Sequence, residues 1–198
     1  MIFTSIRVIR PKDRTSPVLA FVDISMDNGI QLRDMRLMRN RDESGYVLRM
    51  PTRKAKNGVY RDIFNPISND VRTELTNAVL EALHMAEDNN VNEFTLEKET
   101  EPRLPEFSSI HVHRFPNNRQ LKALASCVVD GSIVLSGIAV LLNEDTKALQ
   151  LTMPNHTIVR TGGHASYYRM TQESYKVLYD DIMSAYSAAP VEDSESEA

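Results

Sequence analysis

Basic side chains are concentrated in one short stretch of the chain, between residues 49 and 61. Each phosphate that a cation contacts releases counterions, and an arginine can hold a phosphate with two parallel hydrogen bonds, so clustered cations favour a polyanion. The alternative is a solvated hairpin surface whose charges prevent edge-to-edge pairing, and the residues alone leave both interpretations open. The candidate residues for phosphate contact are Arg49, Arg53, Lys54, Lys56 and Arg61, preceded by Arg33, Arg36, Arg39 and Arg41.

The histidines offer a weaker case for chemistry. His111 and His113 lie two apart on a predicted strand, so both project to one face and could form half of a metal site. No third or fourth ligand follows at a useful spacing, and His156 and His164 lie in a later hairpin-like segment. We therefore expect solvated strand positions at these four histidines and no metal site.

The sequence lacks the patterns that mark common enzyme sites. It contains no glycine-rich phosphate loop before a helix, no nucleophile elbow, no paired-cysteine zinc spacing and no metalloprotease motif. Its one cysteine, Cys127, lies in an apolar run, which predicts a buried core residue. We predict no catalytic residue, no cofactor and no enzymatic activity.

Charge, hydropathy and cysteine content predict a cytoplasmic protein with no membrane partner. One cysteine permits no internal disulfide, which fits a reducing compartment. The first ten residues lack an apolar signal core, and the longest nearly apolar run, Ile133 to Leu142, is about half as long as a bilayer span. The net charge of −4 arises from the acidic segments 89–106 and 187–198, because the rest of the chain is slightly basic.

Two segments of the chain align with each other at a nearly constant offset of 103 residues. Asp27 falls on Asp130, Ile30 on Ile133, and Met50-Pro51 on Met153-Pro154. Such matches without gaps predict two tandem copies of one small domain. The predicted copies are residues 3–88 and 107–187, separated by an acidic linker at 89–106 and followed by a disordered acidic tail at 188–198.

Each copy is predicted to have an α+β fold, with a four-stranded antiparallel sheet, a projecting hairpin and a C-terminal helix. The hairpin of the first copy turns at Asn57-Gly58, and Ser68 can cap its helix, as Thr171 can in the second copy. The apolar alternation of the third strand changes phase, which predicts a β-bulge at Arg33-Asp34 and an equivalent one at Gly137.

The stretch after the fourth strand resembles the stage V sporulation protein G family. The stretches that carry the resemblance are Met50 to Lys54, the Asn57-Gly58 turn, Tyr60 to Ile63 and Asn65 to Ile67, all at the spacing of that family. The resemblance spans about residues 3–85. The second copy departs from the pattern, since Asn155, His156 and Thr157 replace the polar-basic-basic triplet.

The resemblance implies a small dimeric bacterial regulator without catalytic activity, which binds DNA, and in some members RNA, in sporulation, septation or virulence programmes. We therefore expect the first copy to carry the nucleic-acid contacts. We also expect the two copies to pair within one chain as a pseudo-dimer, with a further homo-oligomer left open. The alternative is a protein-interaction or scaffolding module that has kept the fold and lost nucleic-acid affinity.

Overall fold

Two antiparallel β-sheets, each packed against one long helix, form the architecture of the chain. A computed structural model describes residues 2–13, 15–40, 45–55, 58–157 and 162–190. The elements in chain order are β1 (Phe3–Ile9), β2 (Val18–Met26), β3 (Ile30–Arg39), β4 (Tyr46–Arg49), β5 (Thr52–Lys54), β6 (Tyr60–Asp62), β7 (Phe64–Pro66), α1 (Asn69–Asp88), β8 (Glu93–Glu97), β9 (Phe107–Arg114), β10 (Leu121–Val129), β11 (Ile133–Leu142), β12 (Leu149–Thr152), β13 (Asn155–Thr157), β14 (His164–Ser166), β15 (Tyr168–Met170) and α2 (Gln172–Ala188).

The first sheet has the order β15-β3-β2-β1-β8, with β4 also paired to β3. The four strands predicted from the sequence are present as β1 to β4. The strand β8, which pairs with β1, comes from the segment that composition predicts to be a linker. Its side chains alternate between exposed and half-buried, with Phe94 and Leu96 packed against the core. Part of the acidic segment is therefore an edge strand rather than an irregular connection.

The second sheet has the order β12-β11-β10-β9, with β7 also paired to β11. Its strands follow the same order as β4 to β1 in the first sheet. The predicted irregularity at Gly137 is present, because the β10–β11 register shifts beside it and Gly137 has a φ of 76°. Cys127 of β10 is buried as predicted, and burial raises the pKa of its thiol to about 12.

The predicted β-bulge at Arg33-Asp34 is confirmed by a register shift between β2 and β3. Asp34 has a φ of 64°, in the left-handed region, and its N–H donates to the carboxylate of Asp23 at 3.0 Å. The extra residue restores the phase of the strand, so that Leu32 and Met35 both lie in the core.

Both predicted helix caps are confirmed. The hydroxyl of Ser68 accepts from the N–H of Val71 at the start of α1, and the hydroxyl of Thr171 accepts from the N–H of Ser174 at the start of α2. The helices begin where the sequence predicts, and each buries one apolar stripe. The buried apolar residues are Leu75, Val79, Ala82, Leu83 and Ala86 in α1, and Leu178 and Ile182 in α2.

Each sheet contains one strand from the opposite half of the chain. The strand β7 pairs with β11 through Phe64 and Leu135, and β15 pairs with β3 through Tyr168 and Leu32. Phe64 and Tyr168 meet edge to face with ring centroids 6.5 Å apart, and both are fully buried. The Tyr168 hydroxyl donates to the carbonyl of Ser136 at 3.1 Å, which satisfies its polar atom in this interior. The two sheets therefore share one core.

Arg103 connects the turn between β2 and β3 with the turn between β10 and β11. Its Nε donates to Asp27 at 2.8 Å, and a terminal nitrogen donates to Asp130 at 2.6 Å. Asn28 and the N–H of Glu106 also donate to Asp130. Burial acts to raise the pKa of Asp130, but the hydrogen bonds from Arg103, Glu106 and Asn28 outweigh it and hold that pKa below its usual range.

Within the described part of the chain, no helix has the length and apolar character needed to cross a bilayer.

We predict that Arg103→Met lowers the free energy of unfolding by about 1–3 kcal/mol at neutral pH, because it leaves the buried carboxylate of Asp27 without its cation. Urea unfolding measures this loss. Arg119→Met is the matched control, since its ion pair with Glu144 is exposed and contributes less than about 1 kcal/mol.

The same loss should depend on pH. The folded pKa of Asp130 is depressed, so its ion pair contributes fully above the unfolded value of about 3.9 and fades as pH falls through the folded pKa. The difference between the native chain and Arg103→Met should therefore shrink below about pH 4. A difference that stays constant between neutral and strongly acidic pH would contradict this assignment.

Candidate functional site

The predicted basic hairpin is present, formed by β5 and β6, which pair only with each other. Arg53 lies opposite Arg61, and Lys54 lies opposite Tyr60. All strand residues of this first hairpin are exposed. Of the five candidate residues, Lys56 lies outside the described residues, as do Asn57 of the predicted turn and Arg41 of the strand exit.

Local sequence explains why the hairpin leaves the first sheet. Pro51 ends β4, because proline has no N–H to continue a ladder, and its carbonyl accepts instead from the N–H of Ile63 at 2.9 Å. Met50 and Ile63 are buried at the base of the hairpin. Gly58 has a φ of 80° with open space around it, as a tight turn requires.

The base of the first hairpin is fixed to the second sheet. The carbonyl of Ile63 accepts from the N–H of Ser136 at 2.9 Å, and β7 then continues along β11. The hairpin therefore stands over the outer face of the second sheet, the face turned away from α2.

A groove of about 1090 Å³ separates the first hairpin from this outer face. We call its two sides the hairpin wall and the sheet wall. The hairpin wall presents Arg53, Lys54 and Arg61, together with Asp62. The sheet wall includes His111, His113, Phe115, Leu124 and Ser126.

The three cations of the hairpin wall have no structural partner in the described part of the chain. The side chains of Arg53, Lys54 and Arg61 form no hydrogen bond or ion pair with any other described residue. Arg33, in contrast, is mostly buried and lies 3.8 Å from Asp23. Unpaired, exposed cations remain available for an anionic ligand, whereas Arg33 belongs to the interior of the first sheet.

Arg49 does not line the groove. The sequence led us to expect it in one cluster with the cations of the hairpin. Arg49 is opposite Arg36 across β3 and β4, and both line a separate cleft of about 480 Å³. Phe21 and Tyr167 also line that cleft. Burial and the charge of Asp34 raise the pKa of Tyr167, partly offset by Arg53 and Arg36.

The second hairpin, formed by β13 and β14, carries no basic residue in its strands apart from histidine. The ring of His156 packs on Tyr167 with centroids 4.7 Å apart, and its Nδ1 lies 3.7 Å from the carboxylate of Asp34. The expectation that His156 lies on a solvated surface is therefore wrong, because it docks onto the first sheet. Residues 158–161 lie outside the described residues.

His111, His113 and His164 are exposed, as the sequence predicts. Among the described residues, no group of three or more potential ligands could hold a metal ion. Sequence reasoning did not identify Phe115 and Leu124 as part of a site. The sequence did contain one indication of the site. Leu124 is an apolar residue at a position of β10 whose side chain points to solvent, and it is 38% exposed.

We predict that Arg53→Ala and Arg61→Ala each change the free energy of unfolding by less than about 0.5 kcal/mol, because neither side chain has a partner in the described fold. Ile63→Ala, at the buried base of the same hairpin, should cost about 2–5 kcal/mol. Urea unfolding compares the three variants. A loss of more than 1 kcal/mol (roughly the ceiling for an exposed pair) in either arginine variant would assign the cations a structural role.

Comparison with known proteins gives a consistent result over the first half of the chain. The SpoVG family model matches residues 1–85. A protein of Caldanaerobacter subterraneus is 33% identical over 92 residues, which cover 46% of this chain and 98% of the relative. A protein of Lachnospira eligens is 36% identical over 87 residues, 44% of this chain and 96% of the relative.

A third relative is similarly close. A protein of Archaeoglobus fulgidus is 32% identical over 79 residues, which cover 40% of this chain and 89% of the relative. All three relatives carry the name "Putative septation protein SpoVG". The full length of a typical relative therefore corresponds to less than half of this chain.

Proposed function

Because this chain belongs to the SpoVG family, we propose that it is a cytoplasmic, non-catalytic regulatory protein that binds DNA or RNA through its first hairpin. The regulatory role follows the septation function for which its relatives are named. The stage V sporulation protein G family, which the sequence resembles, is this same family.

The observation that carries the proposal is the set of unpaired cations on the hairpin wall. Arg53, Lys54 and Arg61 lie together on two short paired strands, are exposed, and have no described partner. Arg53 and Arg61 lie directly opposite each other, and like charges in that position repel unless an anion binds between them. A phosphate backbone supplies regularly spaced anions, and its contacts gain from counterion release.

We further propose that the two halves of the chain are tandem copies that pair as a pseudo-dimer. Support comes from backbone contacts that recur at offsets of 103 or 104 residues. Ile63 donates to Pro51 as Tyr167 donates to Pro154. The contacts between the halves recur in the same way: Ser136 donates to Ile63 as Arg33 donates to Tyr167, and Ile67 donates to Ser132 as Thr171 donates to Gly29.

In this arrangement the second copy has a structural reason to persist after losing its basic residues. A small single domain buries a limited fraction of its surface, and it gains stability from a partner. Here the partner is supplied by the same chain, through β7, β15 and the central pair of Phe64 and Tyr168.

Charge reversal on the hairpin wall tests the nucleic-acid proposal. Arg53→Glu together with Lys54→Glu should weaken binding to every DNA and RNA sequence by at least about tenfold, because two phosphate contacts become repulsive. Fluorescence anisotropy with labelled oligonucleotides measures the affinity. Lys98→Glu with Lys176→Glu makes the same change in net charge away from the groove and should have little effect.

Unchanged affinity in the Arg53/Lys54 variant, with the native circular dichroism spectrum, would remove the hairpin from the binding site. A chain that binds no nucleic acid and captures proteins with little salt dependence would instead favour the scaffolding alternative.

The pseudo-dimer predicts the mass in solution. Since each copy already pairs within the chain, size exclusion with light scattering should give the mass of one chain across dilution. A stable mass of two chains, retained on dilution, would mean that pairing occurs between chains or that a further dimer is built on the pseudo-dimer.

A further inference from the structure

We infer that the groove between the first hairpin and the second sheet binds single-stranded nucleic acid, with phosphates on the hairpin wall and bases against the sheet wall. This inference rests on the proposed function and adds the class of ligand and a role for the second half of the chain. The two walls come from opposite halves, so the site exists only when both are folded together.

The strand exchange fixes the distance between the two walls. The first hairpin leads directly into β7, and β7 pairs with β11 of the second sheet from Phe64 to Pro66. Gly137 and Ser136, beside this pairing, also line the groove. The hairpin is therefore held against the second sheet by backbone hydrogen bonds and not by surface contacts alone.

The sheet wall has the chemistry of a surface for bases. His113 and Phe115 contact each other edge to face, with ring centroids 4.8 Å apart. Leu124, directly opposite His113 in the β9–β10 register, is 38% exposed, and Ser126 is opposite His111. Aromatic and apolar side chains of this kind stack on exposed bases of any sequence.

A single strand fits both walls better than a duplex does. A single strand exposes base faces on one side and phosphates on the other, which matches a groove with rings on one wall and cations on the opposite wall. A duplex keeps its base faces stacked inside, so it would meet the sheet wall with phosphates and leave the rings unused.

The corresponding surface of the first sheet does not offer the same site. There Arg7 is bonded to Glu93 at 2.7 Å and lies 3.7 Å from Asp23, so charged pairs occupy the position that His111 holds in the second sheet. The second hairpin, which stands over this face, presents His156 to Asp34, and its described strands 155–157 and 164–166 contain no lysine or arginine. Among the described residues, the groove sets its cations and its rings on two facing walls, whereas Arg36, Arg49 and Phe21 of the smaller cleft all belong to the first sheet.

The test compares three labelled probes in fluorescence anisotropy: a DNA strand of mixed sequence, the RNA strand of the same sequence, and the DNA duplex. The native chain should bind both single strands more tightly than the duplex. His113→Ala with Phe115→Leu should weaken single-strand binding by about five- to tenfold, the loss of one stacked base, and change duplex binding by less than about twofold.

If the ring substitutions disturb folding, a second variant tests the same inference. Leu124→Glu places a carboxylate on the sheet wall, and we expect at least about tenfold weaker single-strand binding from repulsion of the phosphates and loss of an apolar contact. Val91→Glu is its matched control, because Val91 is 37% exposed and lines neither the groove nor the cleft of Arg49. It should bind like the native chain.

Three results would overturn the inference, and the first two leave the proposed function in place. In the first, both sheet-wall variants bind single strands with native affinity while the Arg53/Lys54 variant binds weakly. The hairpin would then bind nucleic acid, and the sheet wall would not be part of the site. Tighter binding of the duplex than of either single strand would overturn the ligand class. Absence of binding to all three probes would overturn both proposals together.

Discussion

The exchange of β7 and β15 between the two sheets is the constraint on which the rest of the structure depends. Each exchanged strand directly follows a hairpin, so the backbone pairing that adds the strand to a sheet also places its hairpin over that same sheet. It brings Phe64 and Tyr168 into one buried contact and sets the Ile63–Ser136 hydrogen bond at the base of the groove. Separating the halves would leave ladder groups on β3 and β11 unpaired, which is costly in an apolar core.

Symmetry of the backbone coexists with asymmetry of the side chains. The same contacts recur at offsets of 103 and 104 residues, yet the first hairpin has three cations without a partner among the described residues and the second presents a docked histidine. The outer faces differ as well, with ion pairs around Asp23 on one sheet and an exposed His113 against a half-buried Phe115 on the other. The two proposed copies therefore share backbone contacts and differ in the side chains that they present.

Features governed by local chemistry were predictable from the sequence. The caps at Ser68 and Thr171 and the bulge at Arg33-Asp34 depend on residues close in the chain, and the structure confirms them. The strand β8 was missed although Phe94 and Leu96 alternate with polar residues, because an alternation of five residues in an acidic segment does not show which strand it pairs with. The position of the sheet wall opposite the hairpin was not predictable either. It follows from strand exchange, a long-range pairing that alternation within one strand does not encode.

The salt dependence of single-strand binding by the native chain tests the central claim most directly, because it counts phosphate contacts without altering the protein. If Arg53, Lys54 and Arg61 each neutralise one phosphate, the logarithm of the association constant should fall against the logarithm of salt concentration with a slope of about −2. Isothermal titration at several salt concentrations would measure it. A slope near zero would contradict an electrostatic nucleic-acid site on the first hairpin.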